Sequence, residues 1–329
     1  MRLGSLGDVI HAIPAAAALR ARHPGARIDW VADPRYAEML RLVTAIDRVV
    51  PLDTRGGPGA LVRTVGELRR ARYDAVVDLQ GLLKSAVLAR LAGGRRTIGL
   101  PRAHLREPLA RFFYGEMPDP GTDAHVIRKN LSLMRALEVT DASIAFTIAV
   151  PETATGHAAV AAIGSDRFIA LNPGAAWPTK RWPAERFGAL AAALRRRLGL
   201  RSLVRWGPGE QELAHRAVAS SGGAAVPSPP TGLVDLFDVT RRARLLVSGD
   251  TGPLHIAAAM GTPVVALFGP TFAERNGPWS PDDVTVTRAA TCVCHYERRC
   301  RRGTPCIDEI ALDEVLTAVE SRMSAGGRV

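Results

Sequence analysis

Lysine is almost missing from this chain: of the 43 basic residues among 329, only Lys84, Lys129 and Lys180 are lysines, and the rest are arginines. Aromatic residues are sparse at 5% and are not interleaved with the basic ones, which excludes a base-stacking platform for nucleic acid. No apolar run is long enough to span a bilayer. The N-terminus lacks the charged region, apolar region and cleavage site of a signal peptide, so the cytoplasm is the default expectation. Cysteine is confined to one stretch, Cys292, Cys294, Cys300 and Cys306.

What is present is a chain 47% hydrophobic with a net charge of +11. That composition suits a soluble α/β protein with cores of Ala, Leu and Val. A GC-rich genome would raise arginine and alanine without any functional reason. A functional reason would be an anionic partner, and phosphorylated lipid or phosphosugar suits the composition better than nucleic acid.

Short apolar runs alternate with helical patterns throughout. Strands are expected near 26–32, 73–79 and 95–100, then near 168–172, 201–206, 223–226, 244–248 and 263–268. Helices are expected near 8–22 and 82–92, then near 183–198, 209–220, 233–242 and 252–260, with a last amphipathic one near 311–323. This alternation predicts parallel sheets covered by helices. The length and a polar, Ala/Gly-rich joining stretch at 140–165 predict two doubly wound, Rossmann-like domains, 1–155 and 156–329, facing across a cleft. Only Met1-Arg2-Leu3 precede the first glycine loop, so the first strand is expected to begin upstream or to be absent.

In open α/β sheets ligands bind beyond the carboxyl ends of the strands. Three such ends stand out. Ser248-Gly249-Asp250-Thr251-Gly252-Pro253-Leu254-His255 runs from a strand into a helix whose positive end favours a pyrophosphate, with Thr251 adding a hydroxyl and His255 one turn inside. Asp250 reads either as that helix's N-cap or as a group at the ligand. Asn172–Pro183 holds Lys180, which suits a phosphate contact, although a solvated loop lysine looks the same. Trp206-Gly207-Pro208-Gly209-Glu210 offers a carboxylate for ribose hydroxyls, or a first-turn helix acid. At the N-terminus, Gly4–His11 is a further glycine loop in which Asp8 is either an N-cap or a general base. A helix N-terminus favours the carboxylate form, which weakens it as a base.

The four cysteines, in the pattern C-x-C-x5-C-x5-C, leave three readings open: packed reduced thiols, disulfides, or a metal held by Cys292, Cys294, Cys300 and Cys306 with His295 nearby. A cytosolic setting disfavours structural disulfides.

RLGSLGDVIHAIPAAAALR, DLQGLLKSA, ALNPGAAWPTKRWP, WGPGE and LLVSGDTGPLHIAAAMGTPVVALFGPT together resemble the lipopolysaccharide heptosyltransferase family, glycosyltransferase family 9, in order and over nearly the whole chain. DLQGLLKSA and the Arg106–Tyr114 stretch lean toward members that add the first heptose to the inner core. The resemblance implies a GT-B fold and an inverting transfer without a metal or other cofactor. It implies Asp8 as catalytic base and Lys180, Glu210, Asp250, Thr251, Gly252 and His255 as donor-binding residues. It also implies ADP-heptose as donor and a lipid A–Kdo acceptor at the cytoplasmic face of the inner membrane, with Lys84 and Arg106 on the acceptor side. A relative using another nucleotide sugar or acceptor, a sugar-nucleotide epimerase of similar fold, and a silent nucleotide-sugar-binding subunit are the competing readings.

Overall fold

A computed structural model describes residues 1–53, 56–123, 125–140 and 143–325. The chain divides into two compact units, Met1–Ala149 and Val150–Val329. In the first, α1 (Leu6–Arg22), β1 (Asp29–Ala32), α2 (Ala37–Leu40), β2 (Arg48–Pro51), α3 (Gly57–Ala71), β3 (Ala75–Val77), α4 (Leu83–Leu91), β4 (Arg96–Ile98) and α5 (Val126–Leu133) follow in order. The second runs α6 (Ala154–Ile163), β5 (Phe168–Asn172), α7 (Ala184–Leu198), β6 (Arg201–Val204), α8 (Gln211–Ala219), β7 (Ala225–Pro227), α9 (Leu233–Arg242), β8 (Leu245–Gly249), α10 (Gly252–Met260), β9 (Val264–Phe268), α11 (Ala273–Asn276), β10 (Val284–Thr287) and α12 (Leu312–Ala325).

In the first unit β1 pairs with β2 and β3 with β4, all parallel. Met1–Leu3 run between the two pairs in the manner of a short strand. Arg2 donates its N–H to the Val31 carbonyl at 3.3 Å, Asp33 to Leu3 at 3.0 Å, and Leu79 to Met1 at 3.0 Å. Leu3 is buried with Val31, Val50, Leu68 and Val76, so three residues join the two halves of this core.

The second unit is one six-stranded parallel sheet in the order β10-β9-β8-β5-β6-β7. All residues of β5, β8 and β9 are buried, as strands covered on both faces must be. Alternate side chains supply two cores. Ile169, Leu171, Val247 and Leu267 meet Phe187, Leu190 and Leu194 of α7 on one face. Phe168, Ala170, Leu246 and Phe268 meet Ile163 and Leu254 on the other. α7 shows why these sequences become helices: Phe187, Leu190, Ala191 and Leu194 fall on one stripe, Arg195–Arg197 lie at the negative end of the dipole, and Gly199 ends the helix at φ 68°.

The joining stretch is only partly a linker. Thr44 donates to Thr147 at 2.8 Å and Ala149 to Leu42 at 2.8 Å, which ties residues 147–149 to the first unit. Residues 154–163 form α6, opened by the Thr153 hydroxyl accepting from Gly156 at 2.9 Å and closed by Gly164 at φ 67°.

Candidate functional site

Chain order along the sheet reverses between β5 and β8: β6 and β7 lie to one side of β5, and β8, β9 and β10 to the other. Because the strands are parallel, the segments leaving β5, β6, β8 and β9 all emerge at one edge, and a topological switch point is where such sheets hold ligands.

Asp250 is the hub of this edge. Its carboxylate accepts from Lys180 Nζ at 2.5 Å, Thr271 Oγ1 at 2.8 Å and Asn276 Nδ2 at 2.6 Å, and His255 Nε2 lies 3.4 Å away. Burial by itself would push this carboxyl up. The hydrogen bond from His255 and the charge of Lys180 outweigh it and hold the group well below the ordinary carboxylate range. The structure thus corrects the N-cap reading: Thr251 occupies the cap position of α10, and Asp250 instead ties the loops after β5, β8 and β9 together.

Lys180 is not a solvated loop lysine. Its side chain is 16% exposed and its ammonium stands 4.7 Å over the Trp177 ring. The Lys180 carbonyl rests on Gly249 so closely that a Cβ there would meet it at 2.6 Å, which gives that glycine a packing reason. Arg181 Nε donates to the Ala175 carbonyl at 2.7 Å, and Trp182 is buried with its Nε1 donating to Ile310 at 3.0 Å. These contacts fix both ends of the loop.

Asn172, the last residue of β5, was not singled out by sequence reasoning. Its Nδ2 reaches Ser248 Oγ at 3.1 Å, Thr251 Oγ1 at 3.4 Å and the Gly174 carbonyl at 3.0 Å, stitching the two central strand ends. Thr271 and Asn276 were likewise missed as members of the Asp250 network. Thr271 has a signal in the Gly-Pro-Thr that follows β9; Asn276, at the end of the four-residue α11, has none.

Glu210 occupies the cap position of α8, but its carboxylate turns back to accept from the Gly207 N–H at 3.0 Å. It lies flat on Gly174, where a Cβ would come within 2.0 Å of Oε2. Glu210 therefore belongs with the loop after β5, beside Asn172. Lys180, Asp250 and His255 form one group at this edge; Thr251, Asn172 and Ser248 form the next; Gly252 is the first helical residue of α10.

In the first unit, Ser5 is the cap of α1 and Asp8 is its third residue, again not the N-cap. The Asp8 carboxylate accepts from the Ser5 N–H at 3.3 Å and hydroxyl at 3.2 Å, and Arg2 Nη2 lies 2.6 Å from its other oxygen. Asp8 remains 34% exposed at the side chain, so its carboxylate is open to solvent. Lys84 and Arg106 are both exposed. Their segments adjoin: the Leu83 N–H donates to Glu107 at 2.6 Å, and buried Asp78 accepts from Ser85 at 2.8 Å and from Tyr114 at 2.7 Å. Burial and the neighbouring Asp78 charge push the Tyr114 phenol far up, so it stays a donor.

The four cysteines are free thiols packed against one another, with Cys294 and Cys300 sulfurs 3.8 Å apart. Among the described residues no group of three or more His, Cys, Asp or Glu side chains is arranged to hold a metal ion. His295 instead contacts the Ala289 carbonyl at 2.8 Å. The Cys-rich segment braces the site, since Thr179 donates to the Glu297 carbonyl at 2.9 Å and the Tyr296 N–H to Pro270 at 3.0 Å.

Residues 61–304 match the model of glycosyltransferase family 9 (heptosyltransferase). Lipopolysaccharide heptosyltransferase 1 of Pseudomonas aeruginosa is 33% identical over 316 residues, covering 91% of this chain and 86% of its own. The glycosyl transferase family 9 structure from Veillonella parvula superposes with a TM-score of 0.84 at 25% identity, covering 98% of this chain and 96% of that one. E. coli heptosyltransferase WaaC with ADP-2-deoxy-2-fluoro heptose gives 0.76 at 25% identity, covering 97% and 99%. The fold is that of the GT-B heptosyltransferases, and the chain belongs to glycosyltransferase family 9, the heptosyltransferases.

Proposed function

We propose that this chain transfers heptose from ADP-heptose to the phosphorylated lipid A–Kdo inner core of lipopolysaccharide, with inversion and without a metal, at the cytoplasmic face of the inner membrane. The observation that carries the reading is the Lys180–Asp250 pair beside the N-terminus of α10. An ammonium has three donors. Asp250 takes part of that capacity and fixes the direction of the rest, which leaves Lys180 able to meet a diphosphate oxygen without the entropic cost of ordering a free lysine. Thr251, Gly252 and the helix dipole add to the same charge, and Glu210 suits the ribose hydroxyls.

Asp8 takes the proton of the acceptor hydroxyl as its oxygen attacks the anomeric carbon opposite the leaving group. The bond from that carbon to the diphosphate oxygen breaks, and the electron pair leaves with ADP. Lys180, Thr251 and the α10 N-terminus stabilise the charge that develops there. Arg2 and Ser5 hold the Asp8 carboxylate in one orientation. Lys84 and Arg106 suit acidic groups of the acceptor. ADP-heptose as donor is supported by the heptose nucleotide in the WaaC structure, and the first-heptose step by the likeness to heptosyltransferase 1. Family membership favours transfer over isomerisation of the donor.

Purified protein incubated with ADP-heptose, with and without lipid A–Kdo, is expected to release ADP only when both are present. Asp8→Asn should lower kcat about 10²- to 10⁴-fold, the usual worth of a general base, with donor affinity kept. Donor isomerisation, donor binding without turnover, or an Asp8→Asn variant at wild-type rate would each overturn the reading.

A further inference from the structure

Leu109 and Phe112 stand 62% and 68% exposed in the 3-10 turn Pro108–Phe113, and Leu83, at the start of α4, is 38% exposed. By contrast Phe168, Phe187, Phe237 and Phe268 are fully buried. Scattered exposed apolar residues need no explanation, whereas a cluster on one rigid, charged face does.

The turn is held firmly from beneath. Leu105, Ala110 and Tyr114 are buried, and Tyr114 donates to Asp78 at 2.7 Å. α4 packs on the same turn, and the Leu83 N–H holds Glu107 at 2.6 Å. The outward apolar groups are thus presented by fixed backbone.

Their surroundings are cationic. Lys84, Arg102 and Arg106 are exposed and Arg111 is half-buried, with the Arg111 guanidinium 4.3 Å over the Phe112 ring. Glu107 is the acid among them, and the Leu83 N–H already occupies its Oε2. An aromatic and a leucine framed by arginines match the boundary between lipid headgroups and acyl chains, where apolar tips enter and cations meet phosphate. No helix among the described residues is long and apolar enough to cross a membrane, so attachment by these residues would be to a surface.

We propose that the face formed by the start of α4 and residues 102–113 docks this chain on an anionic lipid bilayer, Leu109 and Phe112 entering the headgroup region and Arg102 and Arg111 meeting lipid phosphates, beside the Lys84 and Arg106 that face the acceptor. The choice of a bilayer as partner rests on the lipid-linked acceptor proposed above. Leu109, Phe112, Arg102 and Arg111 hold no role in the transfer proposed above.

The test is co-sedimentation of the full chain with vesicles of phosphatidylethanolamine and phosphatidylglycerol, and with vesicles of phosphatidylcholine alone, at low and high salt. Wild type should bind the anionic vesicles, and salt should weaken that binding. L109S/F112S, which changes only exposed side chains, should lose about tenfold or more in partitioning. Its thermal melt and its transfer to a detergent-dispersed acceptor should stay unchanged, while transfer to acceptor embedded in vesicles falls. Wild-type protein that ignores anionic vesicles, a double variant that binds them as well as wild type, or a dimer in solution that the double variant abolishes would overturn the docking proposal. Vesicle binding lost in the variant, together with absent heptose transfer by wild type, would support docking and sink only the catalytic reading.

Discussion

The Lys180 ammonium lies 2.5 Å from the Asp250 carboxylate although the two residues stand 70 positions apart, on loops leaving adjacent strands. Lys180→Ala removes the cation and its tie to Asp250, while the Arg181 and Trp182 contacts still hold the loop. The expected result is an ADP-sugar affinity about 10- to 100-fold weaker, the worth of one charge-assisted hydrogen bond. Lys180→Arg should recover little, because a wider guanidinium in this largely buried place pairs with Asp250 through two of its N–H groups and does not present a compact charge from the same point. Calorimetric titration with the nucleotide decides it, and unchanged affinity in Lys180→Ala would remove this residue from the donor site.

Asp250 ties stability to pH in a definite direction. Its folded-state value is depressed, because the His255 hydrogen bond and the Lys180 charge outweigh the cost of burial. The unfolded chain therefore takes up a proton that the folded chain refuses. The contribution is complete above the ordinary aspartate value near 3.9 and is lost as pH falls below it toward the folded value. Asp250→Asn should cost about 3–5 kcal/mol at pH 7, since it leaves buried donors around a neutral amide. The gap between the two melting curves should narrow from pH 5 to pH 3. A constant gap across that range would show that Asp250 does not set the slope.

The same network marks the limit of what the sequence reveals. β5, β8 and β9 were readable because strands buried on both faces are unbroken apolar runs, and the glycines beside them mark the site edge. β2 and β10 were not, because four residues of mixed exposure resemble loop. α6 hid in the joining stretch because ATGHAAVAAI has no polar face to give it a period, and only the Thr153 cap betrays it. Lys180 and Asp250 were each legible as site residues, but their pairing was not. Thr271 and Asn276 lie 21 and 26 positions beyond Asp250, a relation that only the packed sheet creates.

Gly174 and Glu210 give a test of the nucleoside side. A Cβ at position 174 would lie 2.0 Å from Glu210 Oε2 and 2.3 Å from Cδ. Those atoms end a flexible side chain, so Gly174→Ala should displace the carboxylate while leaving the fold intact, with stability changed by less than about 1 kcal/mol. Its loss of ADP affinity should match that of Glu210→Ala. The double variant should be no worse than either single one, because both remove one interaction. Additive losses in the cycle would mean that Gly174 and Glu210 act separately.

The cysteines can be ranked by reactivity. Cys300 is partly exposed, while Cys292, Cys294 and Cys306 are buried. Burial, reinforced by the hydrogen bond with Cys292, pushes the Cys306 thiol up to about 12, so at neutral pH it holds almost no reactive thiolate. Brief treatment of the native protein with iodoacetamide at pH 7.5, followed by peptide mass spectrometry, should label Cys300 first and leave Cys306 unmodified until the chain unfolds. Sulfur pairs surviving in the unreduced digest would instead establish disulfides. Labelling of all four only after a chelator is added would establish a shared metal, and the packed thiols would then be its ligands rather than a brace for the Lys180 loop.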